Sequence, residues 1–341
     1  MARDTMRRRT FLAVIVLALV AATAIGVAPD WQKTFDPLPS WNEGTAKHEI
    51  INFVNRAVAE GRPDYIPPEK RIATFDNDGT LWVEQPVYPE GVFIFDRIKA
   101  LAPQHPEWAD TEPYKSAIAG DIEGVAKQGD AAFLTLAIAV GSGMTDAEYE
   151  QAAIQWIETA RHPRFDRLYT ELAYQPMLEL LSYLRDNGFK TFIVSGGGTA
   201  FLRAFAEKTY GIPPEQVIGS AVALSYQMDQ GKPVLRRQDR VTAIDVGPVK
   251  AERIGTMIGR RPVFAAGNSD GDLEMLQWTT MAIGPRFGML VHHTDAGREY
   301  AYDRNSAIGH LEVALDQAPE RGWFVIDMKR DWRTVFAFEN N

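Results

Sequence analysis

Cysteine is absent from this chain of 341 residues. Its absence excludes disulfide bonds, thiolate metal sites, cysteine nucleophiles and lipid attachment to an N-terminal cysteine. An excess of basic charge is also lacking, since 36 Lys and Arg stand against 45 Asp and Glu, for a net charge of −9. No long basic run occurs after residue 9, which disfavours nucleic-acid binding. The hydrophobic share of 45% is nevertheless that of a globular protein with a large core.

Long apolar runs are confined to the N-terminus. Four arginines within the first nine residues precede an uncharged stretch from Phe11 to Pro29, and small residues in that stretch suit signal-peptidase cleavage. The pair Arg8-Arg9 also resembles a twin-arginine export signal. We therefore interpret residues 1–28 as a signal peptide, or as a membrane anchor if uncleaved, because about 18 apolar residues can span a bilayer. The protein is expected to be exported, to the periplasm or the extracellular space.

The rest of the chain alternates apolar strands with amphipathic helices. Strands are predicted at 71–76, 189–195, 262–267 and 280–284, with short connections to the helices. This alternation favours a parallel sheet with helices on both faces, so the predicted fold class is α/β and doubly wound. Residues 86–170 depart from the pattern because several of their stretches look helical and strand-like alternation is scarce. We predict that they form a helical insertion after the first strand.

Polar residues follow the first strand, at the edge where ligands bind in such sheets. Asp76 and Asp78 share a face while the chain stays extended, and Gly79 permits a backbone conformation closed to other residues. Two carboxylates this close need a cation, or one of them must hold a proton. The alternative is a solvated turn, which Asp-Asn-Asp-Gly also forms.

The second strand ends in a hydroxyl and three glycines. Ser195 leads into Gly196, Gly197 and Gly198, and a helix follows directly. Exposed backbone amides and a helix N-terminus together suit a phosphate-type anion. A plain glycine turn before the helix is the alternative.

The third strand leads to an acidic loop. Asn268, Asp270 and Asp272 offer oxygen ligands without His or Cys, which suits Mg²⁺ rather than Zn²⁺. The alternative is the acidic first turn of a helix. Lys250 begins a helix, where a cation does little for the helix itself, so we interpret it as a group that reaches into an acidic, phosphate-bearing site. An exposed surface lysine is the alternative.

These four groups, in this order, resemble the haloacid dehalogenase-like (HAD) hydrolase superfamily, and most closely its phosphoserine-phosphatase-like branch. The segment from Asp76 to Thr80 is similar to the first family motif, Ser195 to the second, Lys250 to the third and residues 267–272 to the fourth. The match spans residues 70–285. It is specific for the superfamily and the reaction class, and weak for the substrate.

The resemblance implies a Rossmann-like core and a Mg²⁺ cofactor. The core would comprise residues 29–85 and 171–341, and residues 86–170 would be a helical C1-type cap. The implied metal ligands are Asp76, Asp78 (through its carbonyl), Asn268, Asp270 and Asp272. The family motif usually places Asp where this chain has Asn268, so a neutral amide oxygen would face the metal unless Asp270 binds it directly.

The resemblance also implies a reaction. The chain would hydrolyse small organic phosphate monoesters through an aspartyl-phosphate, with Asp76 as nucleophile and Asp78 as acid and base. The phosphate would be bound by Ser195, Lys250 and Thr80 and by the amides of Gly196 and Gly197. For Thr80, capping of the following turn is an equal alternative.

The substrate pocket is predicted from the residues that follow the first motif. Trp82, Glu84 and Tyr88 would line it, with packing against the cap as the alternative reading. His292 and His293 are expected on a surface loop and receive no role. A phosphotransferase or phosphonatase on the same scaffold, or a non-catalytic exported binding protein, are the alternative functions; the insertion has three lysines, in no recognisable phosphonatase motif.

Overall fold

The central element of the fold is a sheet flanked by helices. The computed structural model describes residues 36–340, so the predicted signal peptide or anchor lies outside the described residues. Within that range, no helix is both long enough and apolar enough to cross a bilayer.

The strands are β1 (Ile72–Phe75), β2 (Lys190–Gly198), β3 (Val217–Asp229), β4 (Lys232–Ala243), β5 (Phe264–Gly267), β6 (Phe287–Thr294), β7 (Ala301–Tyr302) and β8 (Phe324–Asp327). The helices are α1 (Thr45–Val58), α2 (Pro89–Leu101), α3 (Tyr114–Ala119), α4 (Ile122–Lys127), α5 (Asp130–Ala139), α6 (Asp146–Ile157), α7 (Gln175–Asp186), α8 (Thr199–Tyr210), α9 (Pro248–Arg253), α10 (Leu273–Thr280), α11 (Val313–Arg321) and α12 (Met328–Asp331).

The strand order is β4-β3-β2-β1-β5-β6-β7, and β8 pairs with β6. The pairs β1–β2, β1–β5, β2–β3, β5–β6 and β6–β8 are parallel, while the β3–β4 hairpin and the β6–β7 pair are antiparallel. The predicted α/β class with a mostly parallel sheet is therefore confirmed. The chain order reverses at β1, between β2 and β5, which is where ligands bind in doubly wound sheets.

Register brings the ends of three strands to one edge. Every residue of β1 and of β5 is buried, as expected for strands covered on both faces. Phe75 pairs with Ile193 of β2 and with Ala266 of β5. The polar residues that follow these three strands therefore share the carboxyl edge of the sheet.

The predicted helical insertion lies between β1 and β2, where α2 to α6 follow one another. Phe93 of α2 contacts Phe201 of α8 with ring centroids 5.3 Å apart, and Trp156 of α6 lies 6.0 Å from the same ring. Residues from Pro37 onward form one compact unit. The division into a cap at 86–170 and a core therefore stays a prediction.

The strand predicted at 280–284 is wrong. Thr280 ends α10, and Ile283 is 99% exposed, so this short apolar run is not buried in the sheet. The strand begins instead at Phe287, after Gly284 and Pro285, and runs to Thr294. The surface loop expected for His292 and His293 is wrong as well, because both residues lie in β6 and His293 is 2% exposed.

Candidate active site

Lys250 joins two carboxylates from distant parts of the chain. Its Nζ donates to Asp76 Oδ1 at 2.7 Å and to Asp272 Oδ1 at 2.6 Å. All three residues are buried, with exposures of 3%, 7% and 0% respectively. Burial lowers the pKa of Lys250, but attraction to Asp272 and Asp76 outweighs it and leaves that pKa above its usual value. Lys250 is therefore a buried cation, and the exposed surface lysine is excluded.

Asp272 is oriented by its own loop. Its Oδ2 accepts hydrogen bonds from the backbone N–H of Asn268 (3.0 Å) and of Ser269 (3.1 Å). A Cβ at Gly267 would lie 2.4 Å from Asp272 Cγ, so only glycine leaves room for this carboxylate. Both oxygens of Asp272 are therefore engaged, and in this geometry it orients Lys250.

Asp76 follows β1 directly, and its N–H donates to Ala266 O at 3.0 Å. Burial and then repulsion from Asp272 raise its pKa to about 8, although Lys250 acts in the opposite direction. Desolvation thus outweighs the one ammonium group that Asp76 contacts. A further cation beside Asp76 would favour its ionised, nucleophilic form.

Asp78 is held by an indole. Its Oδ1 accepts a hydrogen bond from Trp82 Nε1 at 2.8 Å, and burial raises its pKa to about 6. The Trp82 side chain is fully buried and stacks on Phe205, with ring centroids 4.4 Å apart. Gly79, between them in the chain, has a φ of +72°, which glycine adopts without strain. Trp82 therefore orients Asp78, and its predicted place on a pocket wall is not what the structure gives.

Asn268 is bound on both sides of its amide. Thr80 Oγ1 donates to Asn268 Oδ1 at 3.0 Å, and Asn268 Nδ2 donates to Glu84 Oε1 at 2.6 Å. Thr80 is fully buried, so its hydroxyl has a protein partner here in place of the predicted phosphate. Glu84 is 2% exposed and also accepts from the Tyr302 hydroxyl at 2.8 Å. Burial raises the pKa of Glu84 well above its usual value.

The predicted substrate-lining surface is reduced to Tyr88. This side chain is 38% exposed, and its hydroxyl accepts a hydrogen bond from Gly309 N at 3.3 Å. Glu84, like Trp82, lies in the interior with hydrogen-bond partners of its own. Glu84 does not line a pocket because its side chain points towards Asn268, whereas Tyr88 lies at the surface.

Asp270 does not join the group around Lys250. Its carboxylate accepts from the backbone N–H of Glu312, Val313 and Ala314 at 3.1, 3.0 and 2.8 Å. These amides belong to the beginning of α11, whose free N–H groups attract a carboxylate. The structure thus gives Asp270 a helix-capping role in place of the predicted metal contact.

Ser195 and the glycines lie at the same edge, by the register given above. Ser195 is 1% exposed, and its Oγ accepts from Gly197 N at 3.2 Å. Gly198 N donates to Glu90 Oε2 of α2 at 2.7 Å. Two of these amides therefore have protein acceptors, and the phosphate contacts predicted for Ser195, Gly196 and Gly197 stay predictions.

The sequence patterns did not predict that His293 would be buried in contact with the first motif. His293 Nε2 lies 2.8 Å from Gly79 O, and its Nδ1 lies 3.1 Å from Glu299 Oε2. The Tyr302 ring stacks on His293 with centroids 4.3 Å apart. A correct placement of β6 would have found His293, because it lies at the carboxyl end of a fourth parallel strand.

The donor set at this edge fits Mg²⁺. Among residues 36–340, no three Asp, Glu or His side chains form a ready metal cage. Mg²⁺, however, commonly takes one or two carboxylates and keeps several waters. The available donors are all oxygens: the Asp76 carboxylate, the Asn268 amide and the main-chain carbonyl of Asp78. Asp76 interacts with three further carboxyl groups, whose ionised forms a divalent cation would favour: Asp78, Glu84 and Asp272.

The fold and this arrangement define an α/β protein with a buried carboxylate–lysine site at the carboxyl edge of its sheet. Residues 73–277, more than half of the chain, match the family model of the haloacid dehalogenase-like hydrolases. The chain belongs to that family, which confirms the resemblance drawn from its motifs.

Several solved structures match this chain at low identity. A conserved, functionally unknown protein from Anaerococcus prevotii matches with a TM-score of 0.57 and 15% identity, over 86% of this chain and 94% of the other. A protein of unknown function from Bordetella pertussis matches with a TM-score of 0.46 and 14% identity, over 76% and 99%. A phosphoserine phosphohydrolase-like protein from Francisella tularensis matches with a TM-score of 0.35 and 17% identity, over 65% and 87%. A search of curated proteins gave no match.

Proposed function

We propose that this protein is a Mg²⁺-dependent phosphatase that hydrolyses small organic phosphate monoesters through an aspartyl-phosphate. The observation that carries the proposal is the buried bridge from Lys250 to Asp76 and Asp272 at the carboxyl edge of the sheet. Asp78 follows two residues later with a carboxyl group whose pKa is raised to about 6. A fixed nucleophile beside a group that can hold a proton is what two-step phosphate transfer requires.

In the first step, a carboxylate oxygen of Asp76 attacks phosphorus and forms the aspartyl-phosphate bond. The bond between phosphorus and the alcohol oxygen breaks, and Asp78 gives its proton to the departing alcohol. Trp82 leaves one oxygen of Asp78 without an indole partner, because its Nε1 contacts only Oδ1.

In the second step, water attacks the same phosphorus and gives a proton to Asp78. The bond between Asp76 and phosphorus breaks, which releases inorganic phosphate and restores both carboxyl groups. Splitting the reaction in this way matters because phosphate monoesters hydrolyse extremely slowly without a catalyst.

Positive charge and N–H donors would stabilise the phosphoryl oxygens. Lys250, Ser195 and the amides of Gly196 and Gly197 are the proposed donors, each worth roughly 3–4 kcal/mol by analogy with oxyanion holes. Mg²⁺, held by Asp76, Asn268 and the Asp78 carbonyl, would add positive charge against the same oxygens.

No observation favours the phosphonatase alternative, which needs a reactive lysine from the insertion. Lys99, Lys115 and Lys127 are all exposed. Lys127 also forms an ion pair with Glu123 one turn earlier, at 2.8 Å. These positions are typical of surface lysines.

The proposed place of action is outside the cytoplasm, on a small phosphate ester. Its support is the N-terminal sequence alone, with arginines followed by an uncharged apolar run. Mass spectrometry of the protein recovered from its native compartment should show a new N-terminus near residue 28. An intact N-terminus with membrane association would favour the anchor instead.

The catalytic proposal is tested with protein that lacks residues 1–28. Hydrolysis of an aryl phosphate should require Mg²⁺ and stop with EDTA. Asp76→Asn should reduce turnover roughly 10³-fold or more, while circular dichroism shows an unchanged fold. Full activity of the Asn variant would refute the assigned nucleophile. Failure of the wild type on a broad panel of phosphate esters, with Mg²⁺ bound, would favour the non-catalytic alternative.

A further inference from the structure

The orientation of the Asn268 amide is decided by Glu84. The Thr80 hydroxyl can donate or accept, so its contact with Asn268 does not distinguish the amide oxygen from the amide nitrogen. Glu84 Oε1 lies 2.6 Å from the Asn268 amide and also accepts from the Tyr302 hydroxyl at 2.8 Å, so a proton on this carboxyl group belongs on Oε2, and Oε1 serves as the acceptor. The nitrogen must therefore face Glu84, which leaves the amide oxygen on the opposite side, towards the loop that follows Asp78.

The backbone leaves room for this pair at two glycines. A Cβ at Gly79 would lie 2.1 Å from Asn268 Nδ2 and 2.3 Å from Glu84 Oε1, and a Cβ at Gly309 would lie 2.0 Å from the same Glu84 oxygen. Both glycines have positive φ, +72° and +66°. Side chains at either position would displace Glu84, so two separate loops accommodate one carboxylate.

Tyr302 fixes the carboxylate from a third side. Its hydroxyl donates to Glu84 Oε1 at 2.8 Å, and its ring stacks on His293. His293 in turn contacts the Gly79 carbonyl. Glu84 is thus hydrogen-bonded to the amide of Asn268 in the fourth motif. His293, next to Tyr302, is hydrogen-bonded to the carbonyl of Gly79 in the first motif.

We propose that Glu84 is a positioning residue that accepts a hydrogen bond from the Asn268 amide nitrogen and so turns the amide oxygen towards the metal site. The inference rests on the proposed function, which supplies the metal. In this arrangement the amide oxygen of Asn268 is the metal ligand. The carboxyl group that the family motif usually places at that position is supplied by Glu84, which lies on the other side of the amide. Partners of this kind commonly change metal affinity about 10- to 100-fold.

The test exchanges the two groups. Glu84→Gln places a side chain that can donate as well as accept against Asn268 and lets the Asn268 amide reverse, so the Mg²⁺ dissociation constant from titration calorimetry should rise about 10- to 100-fold. Asn268→Asp places two carboxylates in contact and should lower the melting temperature of the metal-free protein. The double variant E84Q/N268D restores one amide and one carboxylate. Its affinity and melting temperature should lie closer to wild type than those of either single variant.

Several outcomes would overturn the inference. Glu84→Gln could bind Mg²⁺ as tightly as wild type, the double variant could show the summed losses of the single variants, or wild type could bind no Mg²⁺. Glu320→Gln, an exposed exchange of the same type in α11, is the matched control. Calorimetry needs no substrate, so a protein that binds Mg²⁺ in this pattern but hydrolyses no phosphate would refute the proposed function and leave the pairing supported.

Discussion

Glu90 links the helical insertion to the sheet through a group that should make stability depend on pH. Its Oε2 accepts from Gly198 N at 2.7 Å, just before α8 begins. Burial raises its pKa to about 7 against the opposing effect of the Gly198 bond, and Asp78 adds to the rise. Glu90→Gln keeps the shape of the side chain and removes the ionisation.

The sign follows from the direction of the shift. The pKa of Glu90 in the folded protein is above the unfolded value of 4.5, so the native state retains a proton that the unfolded chain releases. The stabilisation from Glu90 is therefore fully present below about pH 4.5 and is lost as pH rises to about 7. The full shift corresponds to about 3.4 kcal/mol, at 1.36 kcal/mol per pH unit. Because Glu90 is partly exposed, solvent screening should reduce this to about 1–2 kcal/mol.

Urea unfolding of wild type and Glu90→Gln from pH 5 to pH 8.5, in EDTA, gives the measurement. The variant should gain about 1–2 kcal/mol relative to wild type as pH rises across this range, and other titrating groups should cancel in the comparison. Glu320→Gln, at an exposed position, should show no such trend. A difference that is constant with pH, or that shrinks as pH rises, would refute the reasoning.

Three further substitutions probe the site. Asp270→Asn should cost about 1 kcal/mol in urea unfolding by weakening the cap of α11, and leave the Mg²⁺ affinity unchanged; a weaker affinity would restore Asp270 as a ligand. Asp78→Asn should reduce hydrolysis of alkyl phosphates about 10²- to 10⁴-fold, yet still release a burst of nitrophenol from nitrophenyl phosphate in rapid mixing, since that leaving group needs little protonation. Lys250→Met should lower the free energy of unfolding at pH 8 by about 3–5 kcal/mol, and a neutral result would contradict the buried bridge.

The meeting of Asp76, Lys250 and Asp272 was predictable because the signals were local. Each follows a short apolar strand or begins a helix, and parallel strands bring their carboxyl ends together whatever the intervening length. The separation of 174 residues between Asp76 and Lys250 therefore did not hide their contact. The same reasoning placed the helical insertion between β1 and β2.

The partners of Asn268 were not predictable in this way. Glu84 comes only four residues after Thr80, but whether it faces a pocket or the interior depends on the approach of loops near residues 268 and 309. Asp270 shows the same limit, because its carboxylate could serve a metal or a helix end and only the position of α11 decides between them. The direction of a side chain after a strand end depends on which distant segments pack against it, and the local sequence does not show this.

The first-motif loop is held from several sides, and this has a consequence for catalysis. Lys250 contacts Asp76, Trp82 contacts Asp78, and the two nitrogens of His293 face the oxygens of Gly79 and Glu299. Because the Gly79 carbonyl can only accept, His293 Nε2 donates to it. The buried charges that such fixing requires are costly to the folded state. During the proposed reaction, negative charge moves between Asp76, phosphorus and Asp78. Donors that are fixed in advance need not reorganise as this happens, which gives a reason for the cost in stability.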